Sequence, residues 1–437
     1  MDIRFWDKKI ETLPRDALHP FQLNRLQQTI DRALLTPFYQ AALTDIGVRS
    51  GRDITSLSQL RKLPFTTKED LRKGFPDAFL AVDKRKVIRV HVSSGTTGMP
   101  TVIYHTKRDI VGWTELCARS IVATGASSED VFQNMMSYGL FTGGLGLHYG
   151  GEKVGMMVIP VGSGNGKRQV QLMRDFHTTT VHATPSYLLH LYNEFEAETI
   201  PLSSLTLKRA FVGAEPHSEK LRKKIETLYH IDVFNSYGMS EMNGPGVAFE
   251  CQYKQEMHLW EDAFLMEVID PQTLCPLPDG KEGELVLTTL NREATPLIRY
   301  RSRDLTRILS EPCGCGRTHR RIARIKGRSD DMIIINGVNV FPSQIETILM
   351  RFPEVGTNYV IHLDKKEALD RLTIKTEVAP RLFTDDSRKL EDLKSRLRHE
   401  FKSTILVNPV IELHEPGSLP VSQGKAIRVV DERKDLN

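Results

Sequence analysis

Long hydrophobic runs are missing from this chain of 437 residues. No stretch approaches the roughly 18 apolar residues that a membrane span requires. The start, Met1-Asp2-Ile3-Arg4-Phe5-Trp6-Asp7-Lys8-Lys9, lacks the apolar core of a signal peptide. Cysteine is scarce as well. An odd count of five, in a chain without an export signal, argues against a disulfide framework and for a cytoplasmic protein. An excess of one charge is also absent: 59 Lys and Arg face 55 Asp and Glu, a net of +4. That balance lacks the electrostatic footprint of a nucleic-acid or membrane-surface binder. Internal repeats and low-complexity tracts are missing too. What remains is an ordinary globular composition, 40% apolar and 26% charged, at a length that implies about two to three domains.

The most informative segment is Ser93-Ser94-Gly95-Thr96-Thr97-Gly98-Met99-Pro100-Thr101. It follows Val87-Ile88-Arg89-Val90-His91-Val92, an alternating branched stretch that reads as a β-strand. Glycines let backbone N–H groups approach an anion closely, and hydroxyls add donors without bulk. Ser94, Gly95, Thr96, Thr97 and Gly98 are therefore candidates to hold the phosphates of a nucleotide. The competing reading is a solvated hairpin. No Gly-Lys-Ser/Thr ending follows, so this is not the P-loop of an NTPase that cleaves at the γ-phosphate.

From Val131 to Ser236 short apolar runs alternate with helical periodicity. Residues 131–136, 154–159, 180–183, 207–212 and 231–234 read as strands, and 169–176, 186–196 and 218–229 as helices. Regular alternation predicts an α/β fold with a mainly parallel sheet and helices on its faces. Ligands in such sheets bind where loops leave the carboxyl ends of strands. Beyond a charged stretch from Arg299 and a polar linker, Gly327-Arg328-Ser329-Asp330-Asp331, a second unit of about 110 residues follows. In it Ser343-Gln344-Ile345-Glu346 reads as a capping box opening a helix with Ile345, Ile348, Leu349 and Phe352 on its apolar face. Strands near 359–363 and 372–378, a helix carrying Leu390, Leu393, Leu397 and Phe401, and a last strand at 410–413 complete a small α+β domain.

Other segments bear chemistry. Gly213-Ala214-Glu215-Pro216 follows a buried strand and either presents backbone groups to a base or ribose or is a plain strand-to-helix turn. Tyr237-Gly238-Met239-Ser240-Glu241 sets an aromatic ring and a carboxylate four apart; the ring can stack on adenine and Glu241 can hold Mg²⁺, or both can be ordinary packing. Asp304 lies in sequence among Arg301, Arg303 and Arg307, which fits either a surface ion-pair cluster or an acceptor for ribose hydroxyls. Gly424-Lys425-Ala426 carries a lysine that is either one more exposed cation or a functional one.

Taken in order, the glycine-hydroxyl loop, Gly-Ala-Glu-Pro, Tyr-Gly-Met-Ser-Glu, Tyr300-Arg301-x-x-Asp304, Gly327-Arg328-x-Asp330-Asp331 and the terminal Gly-Lys-Ala resemble the adenylate-forming superfamily of acyl-CoA synthetases. The resemblance runs from about Phe5 to Val430. Thr101 after the proline, the run Tyr138-Gly139-Leu140-Phe141-Thr142-Gly143-Gly144-Leu145-Gly146, Ala183-Thr184-Pro185-Ser186-Tyr187 and the modest length are similar to the phenylacetate–CoA ligase branch. Two residues depart from it: Met99, where that branch often has lysine, and His217, where a tryptophan is expected.

The resemblance implies a large N-terminal ATP- and acyl-binding domain, residues 1–327, and a small mobile C-terminal domain, residues 328–437. It implies ATP-dependent ligation of phenylacetate to coenzyme A through an acyl adenylate, with AMP and pyrophosphate released. Another aromatic acid (indoleacetate or a substituted benzoate) and a non-catalytic nucleotide-binding regulator are the alternatives. It further implies that Lys425 bridges the carboxylate and the α-phosphate, that Ser94 to Gly98 hold the pyrophosphate half, and that Glu241 holds Mg²⁺. Gly213, Ala214, Glu215, Pro216, Tyr237, Gly238, Met239, Ser240 and Arg328 line the nucleotide in this reading, Asp304 takes the ribose, and Asp330 is the hinge. Tyr138, Phe141, Gly143, Gly144 and Ala183 form a pocket for a flat aromatic group, or else are core packing. Relatives imply a homodimer.

Cysteine and histidine suggest one more feature. Cys251, His258, Cys313 and Cys315 together offer three thiolates and an imidazole, the donors of a closed structural zinc site. The alternatives are two unconnected reduced pairs, with His319 or Cys275 as rival ligands.

Overall fold

The structure, a computed structural model, describes residues 3–93, 100–197, 200–331, 333–336, 338–366, 369–379, 387–420 and 428–433. Its centre is a nine-stranded sheet in the order Ile308–Leu309, Arg321–Ile322, Met257–Leu259, Gly244–Glu250, Asp232–Met239, Arg209–Gly213, Thr180–Ala183, Val131–Asn134, Met157–Ile159. The five strands from Asp232–Met239 to Met157–Ile159 pair in parallel. They carry the apolar runs read from the sequence, with helices Gly143–Val154, Gly166–Asp175, Pro185–Ala197 and Glu219–Tyr229 as crossovers. Val181, Ala183, Ala210 and Val212 are fully buried, as the inner strands of a parallel sheet covered on both faces require.

The sheet is mixed rather than mainly parallel. Past Asp232–Met239 its remaining four strands pair antiparallel. The reversal begins at Asn243 and Gly244, whose left-handed φ values of 84° and 104° turn the chain straight back on itself. The strand expected over 154–159 is also shorter, because the preceding helix runs through Val154 and stops only at Gly155 in the left-handed conformation (φ 91°) that glycine tolerates.

Two smaller elements frame this sheet. Val87–Ser93 and Thr101–Thr106 form an antiparallel hairpin with Ser93 opposite Thr101, so the glycine-hydroxyl loop joins two hairpin strands rather than a strand and a helix of the parallel sheet. The four-stranded antiparallel sheet Phe264–Ile269, Gly283–Thr289, Tyr300–Thr306, Gly327–Arg328 follows. Asp304 faces Arg328 across its last ladder, which carries this sheet one residue past the expected linker start.

The C-terminal unit has its own core, built from Ile345, Ile348, Leu349, Leu393, Leu397 and Phe401 under the sheet Val410–His414, Leu369–Val378, Val355–Lys366, Val429–Asp431. Helix Ser387–Ile405 buries Leu393, Leu397 and Phe401 of the stripe read from its 3.6-residue period, while Leu390, near its start, is only half-buried. The expected capping box at Ser343 and Glu346 does not form. Helix Pro342–Leu349 starts two residues earlier than that box requires, with Phe341 at its N-cap, and Gln344 Oε1 accepts the Phe341 N–H at 2.9 Å in its place. Ser343 Oγ donates to the Lys326 carbonyl, and Glu346 is drawn toward the large unit. Among the described residues no helix is long and apolar enough to cross a membrane.

Candidate active site

The motifs collect where the parallel strands end. Gly213 closes one strand, Met239 the next, and Asn134 and Ala183 two more. Ser94, Gly95, Thr96, Thr97, Gly98 and Met99 lie outside the described residues, as does Lys425. The hairpin that carries the glycine-hydroxyl loop is nevertheless located by its ends. Ser93 and Thr101 pair through their hydroxyls, and Thr101 Oγ1 lies 3.4 Å from Glu241 Oε1. Glu241 sits in the short turn after strand Asp232–Met239 and is buried, with the Tyr300 phenol beside it. Burial, then the Glu241 charge, pushes the Tyr300 phenol well above its ordinary range, so it stays a donor. Gly238 is obligatory in this turn: a Cβ there would meet the Gly244 carbonyl oxygen at 1.8 Å. Ser240 Oγ reaches Thr142 Oγ1, just before helix Gly143–Val154, at 3.2 Å.

Asp304 is not part of a surface ion-pair cluster. Arg301 bonds Glu284 through two nitrogens, at 2.9 and 2.8 Å, and Arg303 also faces Glu284. Asp304 is buried and accepts the Tyr237 hydroxyl at 2.6 Å, with the Arg328 guanidinium 3.6 Å away. A hydrogen bond to a charged acceptor is worth about 1.5–3 kcal/mol. Burial and the neighbouring Asp304 charge push the Tyr237 phenol far above its ordinary value. Arg328 makes a two-nitrogen bridge to Asp330 at 2.8 and 2.9 Å. One guanidinium therefore links the carboxylate read as the ribose acceptor to the residue read as the hinge.

The Gly213–Pro216 turn is strained and crowded. Ala214 has φ +68°, a left-handed conformation rare for a residue with a Cβ. A Cβ at Gly213 would lie 2.4 Å from the Ser236 carbonyl oxygen. The Glu215 carboxylate caps the start of helix Pro185–Ala197, accepting from Ser186 N at 2.6 Å and Ser186 Oγ at 3.0 Å. Its side chain thus has a partner, and the exposed Ala214 and Pro216 flank it. His217 is buried against Arg324, 2.6 Å from Nε2 to Nη1; burial, then that cation, holds the imidazole down at about 3.

Three of the five acyl-pocket candidates come together. A Cβ at Gly144 would lie 3.1 Å from Tyr138 Cγ, and Gly143 packs toward Met136. The Tyr138 hydroxyl accepts from Asn134 Nδ2 at 3.0 Å and reaches His148 Nδ1 at 3.2 Å, while Asn134 Nδ2 also bonds the Gly144 carbonyl at 2.6 Å. The other two stand apart. Phe141 is 47% exposed, and Ala183 is fully buried in a core cluster with Met135 and Val212. Asn134 and His148 do not stand out in the sequence; the one signal is the pair of amides, Gln133 and Asn134, closing strand Val131–Asn134, where a buried amide demands partners.

The cysteine cluster is compact. Ligand atoms of Cys251, His258, Cys313 and Cys315 all lie within 4.8 Å of one another, and all four residues are buried. Sγ of Cys251 and Cys313 are 3.7 Å apart, and Cys315 Sγ is 3.3 Å from His258 Nε2. His258 Nδ1 faces the His319 carbonyl at 2.9 Å, which fixes the ring with Nε2 toward the sulfurs. Both rival ligands fall away: Cys275 is exposed, and His319 contributes its carbonyl oxygen rather than its ring.

The family model described as AMP-binding enzyme matches residues 40–291, and the AMP-binding enzyme C-terminal domain model matches residues 337–433. A phenylacetate-coenzyme A ligase of Thermus thermophilus is 42% identical over 98% of this chain and 100% of its own length. One of Escherichia coli (strain K12) is 43% identical over 97% of both chains. Among solved structures, a 2-hydroxyisobutyryl-CoA ligase in the postadenylation state, in complex with R3-HIB-AMP, is 28% identical with a TM-score of 0.93, covering 99% of this chain and 94% of its own. The same ligase in the thioesterification state, in complex with 2-HIB-AMP and CoA, gives a TM-score of 0.72 at 99% and 93% coverage.

Proposed function

The chain belongs to the AMP-binding enzymes, among their phenylacetate–CoA ligases, and we propose that it joins phenylacetate to coenzyme A with ATP converted to AMP and pyrophosphate. A carboxylate oxygen of the acid attacks the α-phosphorus, the bond from that phosphorus to pyrophosphate breaks, and an acyl adenylate forms. The sulfur of coenzyme A then attacks the acyl carbon, AMP leaves, and the thiol proton passes to solvent.

The obstacle in the first step is one anion approaching another, so groups that neutralise developing charge dominate the barrier. Lys425 bridges the carboxylate and the α-phosphate in this reading, and Ser94, Gly95, Thr96, Thr97 and Gly98 hold the pyrophosphate half. Glu241 holds Mg²⁺, a hard cation suited to its oxygen donors, which neutralises phosphate charge. Asp304, oriented by Tyr237, takes the ribose hydroxyls. Tyr138, Gly143 and Gly144, with Asn134 and His148 behind them, receive the flat aryl group. Gly213 to Pro216 and Gly238 to Ser240 border the nucleotide, and the chain divides into its two domains at the linker carrying Asp330. What carries the reading is the Thr101–Glu241 contact: it brings the end of the phosphate-loop hairpin against the carboxylate suited to the metal.

The four-residue cysteine and histidine cluster is read as a structural zinc site. Three soft thiolates and an imidazole fit that ion and leave no position for substrate. Its thiols suit the reducing cytoplasm.

Lys425→Ala tests the assignment. The variant keeps most of its ATP affinity and loses ATP–pyrophosphate exchange with phenylacetate; undiminished exchange removes Lys425 from the first step. Thioester formation across a panel of aryl and aliphatic acids tests the substrate, and no turnover with any aromatic acid overturns it.

A further inference from the structure

Glu346 departs from what its sequence position predicts. It lies three residues after Ser343 in a box that should cap its own helix, yet its carboxylate leaves that helix and crosses to the large unit. There it accepts the backbone N–H of Ser218, at the start of helix Glu219–Tyr229, at 3.0 Å. On its other side it accepts the Tyr359 hydroxyl at 3.1 Å from strand Val355–Lys366. The residue is 5% exposed. Met350, one turn on, packs against the apolar cluster of the large unit. A carboxylate buried between two units, with one partner on each, is costly unless both bonds are made.

The surroundings on every side are few. Arg428 faces Glu346 from the segment before strand Val429–Asp431; its guanidinium lies 4.3 Å from the Tyr359 ring centroid and bonds the Tyr359 carbonyl at 3.2 Å. Glu215, held by Ser186, faces it from the large unit and repels it. Among the described residues Ser218 and Tyr359 also face it. Arg428 stands three residues from Lys425 in sequence.

The arrangement of the two units here is shared with a ligase in its postadenylation state and differs from that ligase's thioesterification state. We propose that Glu346 is a positioning residue: its bond to the Ser218 N–H docks the C-terminal unit in the adenylate-holding arrangement and must break before the thioester step. The proposal rests on the two-step reading above. Glu346 touches no substrate and acts through the placement of the unit that bears Lys425.

Docking and proton uptake are linked. Burial raises the Glu346 carboxyl to about 7, the Glu215 charge adds to the rise, and the Ser218 N–H, Arg428 and Tyr359 oppose it. Once released to water the group returns toward its ordinary 4.5. The docked form therefore binds the proton more tightly, so docking is favoured as pH falls through 7 and weakened as pH rises. For one proton with these two values, the ratio of docked to released molecules falls about tenfold between pH 6 and pH 8.

Amide hydrogen exchange on the full chain, supplied with MgATP and phenylacetate and without coenzyme A, reads this directly. After correction for intrinsic exchange, protection of the Ser218 segment in the wild type falls about tenfold from pH 6 to pH 8. Glu346→Gln, neutral throughout, shows no such trend. Should that variant fail to fold, Tyr359→Phe removes one hydrogen bond to the carboxylate and moves the transition to higher pH. The same trend in wild type and Glu346→Gln, or an unmoved transition in Tyr359→Phe, overturns the proposal. ATP–pyrophosphate exchange in the wild type separates the two readings. Intact exchange with a flat protection profile overturns the latch alone, and absent exchange overturns the two-step reading together with the latch that rests on it.

Discussion

Removing the proposed zinc site is a sharp test because its size follows from chain geometry. Cys251 and Cys313 are 62 residues apart, so a metal joining them closes a long loop in the unfolded chain. Treated as a cross-link of that length, it contributes about 4 kcal/mol through lost chain entropy. The loop after Cys315 keeps other anchors. Arg317 bonds Glu11 at 2.6 Å, Arg320 bonds Glu261 at 2.9 Å and Arg321 bonds the Gln255 carbonyl at 2.6 Å. These prevent wholesale unfolding, and the loss expected for Cys315→Ser is about 2–4 kcal/mol in guanidinium unfolding. Cys275→Ser is the control, since that thiol is exposed, and leaves stability within about 0.5 kcal/mol. Elemental analysis of protein purified without chelator gives one zinc per chain for wild type and Cys275→Ser, and none for Cys315→Ser. A closed site offers substrate no position, so exchange activity per folded molecule is unchanged. Wild-type protein without stoichiometric metal, or equal stability in the two variants, refutes the reasoning.

Tyr237→Phe deletes the donor 2.6 Å from the buried Asp304 carboxylate. It lowers unfolding free energy by about 1.5–3 kcal/mol and raises the KM for ATP more than that for phenylacetate, as steady-state kinetics will show. Asn134→Leu strips the Tyr138 hydroxyl and the Gly144 carbonyl of their shared amide donor. It raises the KM for the aryl acid by about one order of magnitude, the scale of one or two lost hydrogen bonds, with ATP affinity by calorimetry unchanged.

Local signals and tertiary ones differ in how far they can be read from the chain. The helix stripe Leu393, Leu397 and Phe401 and the apolar runs of the parallel strands are legible because each follows a periodicity within a dozen residues. The family is legible for a different reason, the order of its motifs along the chain. What no local rule reaches is which partner a polar side chain takes. The Arg301, Asp304 and Arg307 neighbourhood suggests a charge cluster, but alternation along strand Tyr300–Thr306 turns Asp304 inward to a tyrosine 67 residues away. Glu346 fits a capping box by spacing. The box fails because the helix begins at Pro342, which puts Gln344 at the capping position and Glu346 two residues beyond it, and this frees the glutamate for a backbone donor 128 residues distant. In both cases a polar group that a local motif could satisfy instead faces a group across a packed interface. A buried carboxylate is retained only where it has donors, so these two displaced acids mark where the proposed nucleotide site and the proposed latch make their demands on the fold.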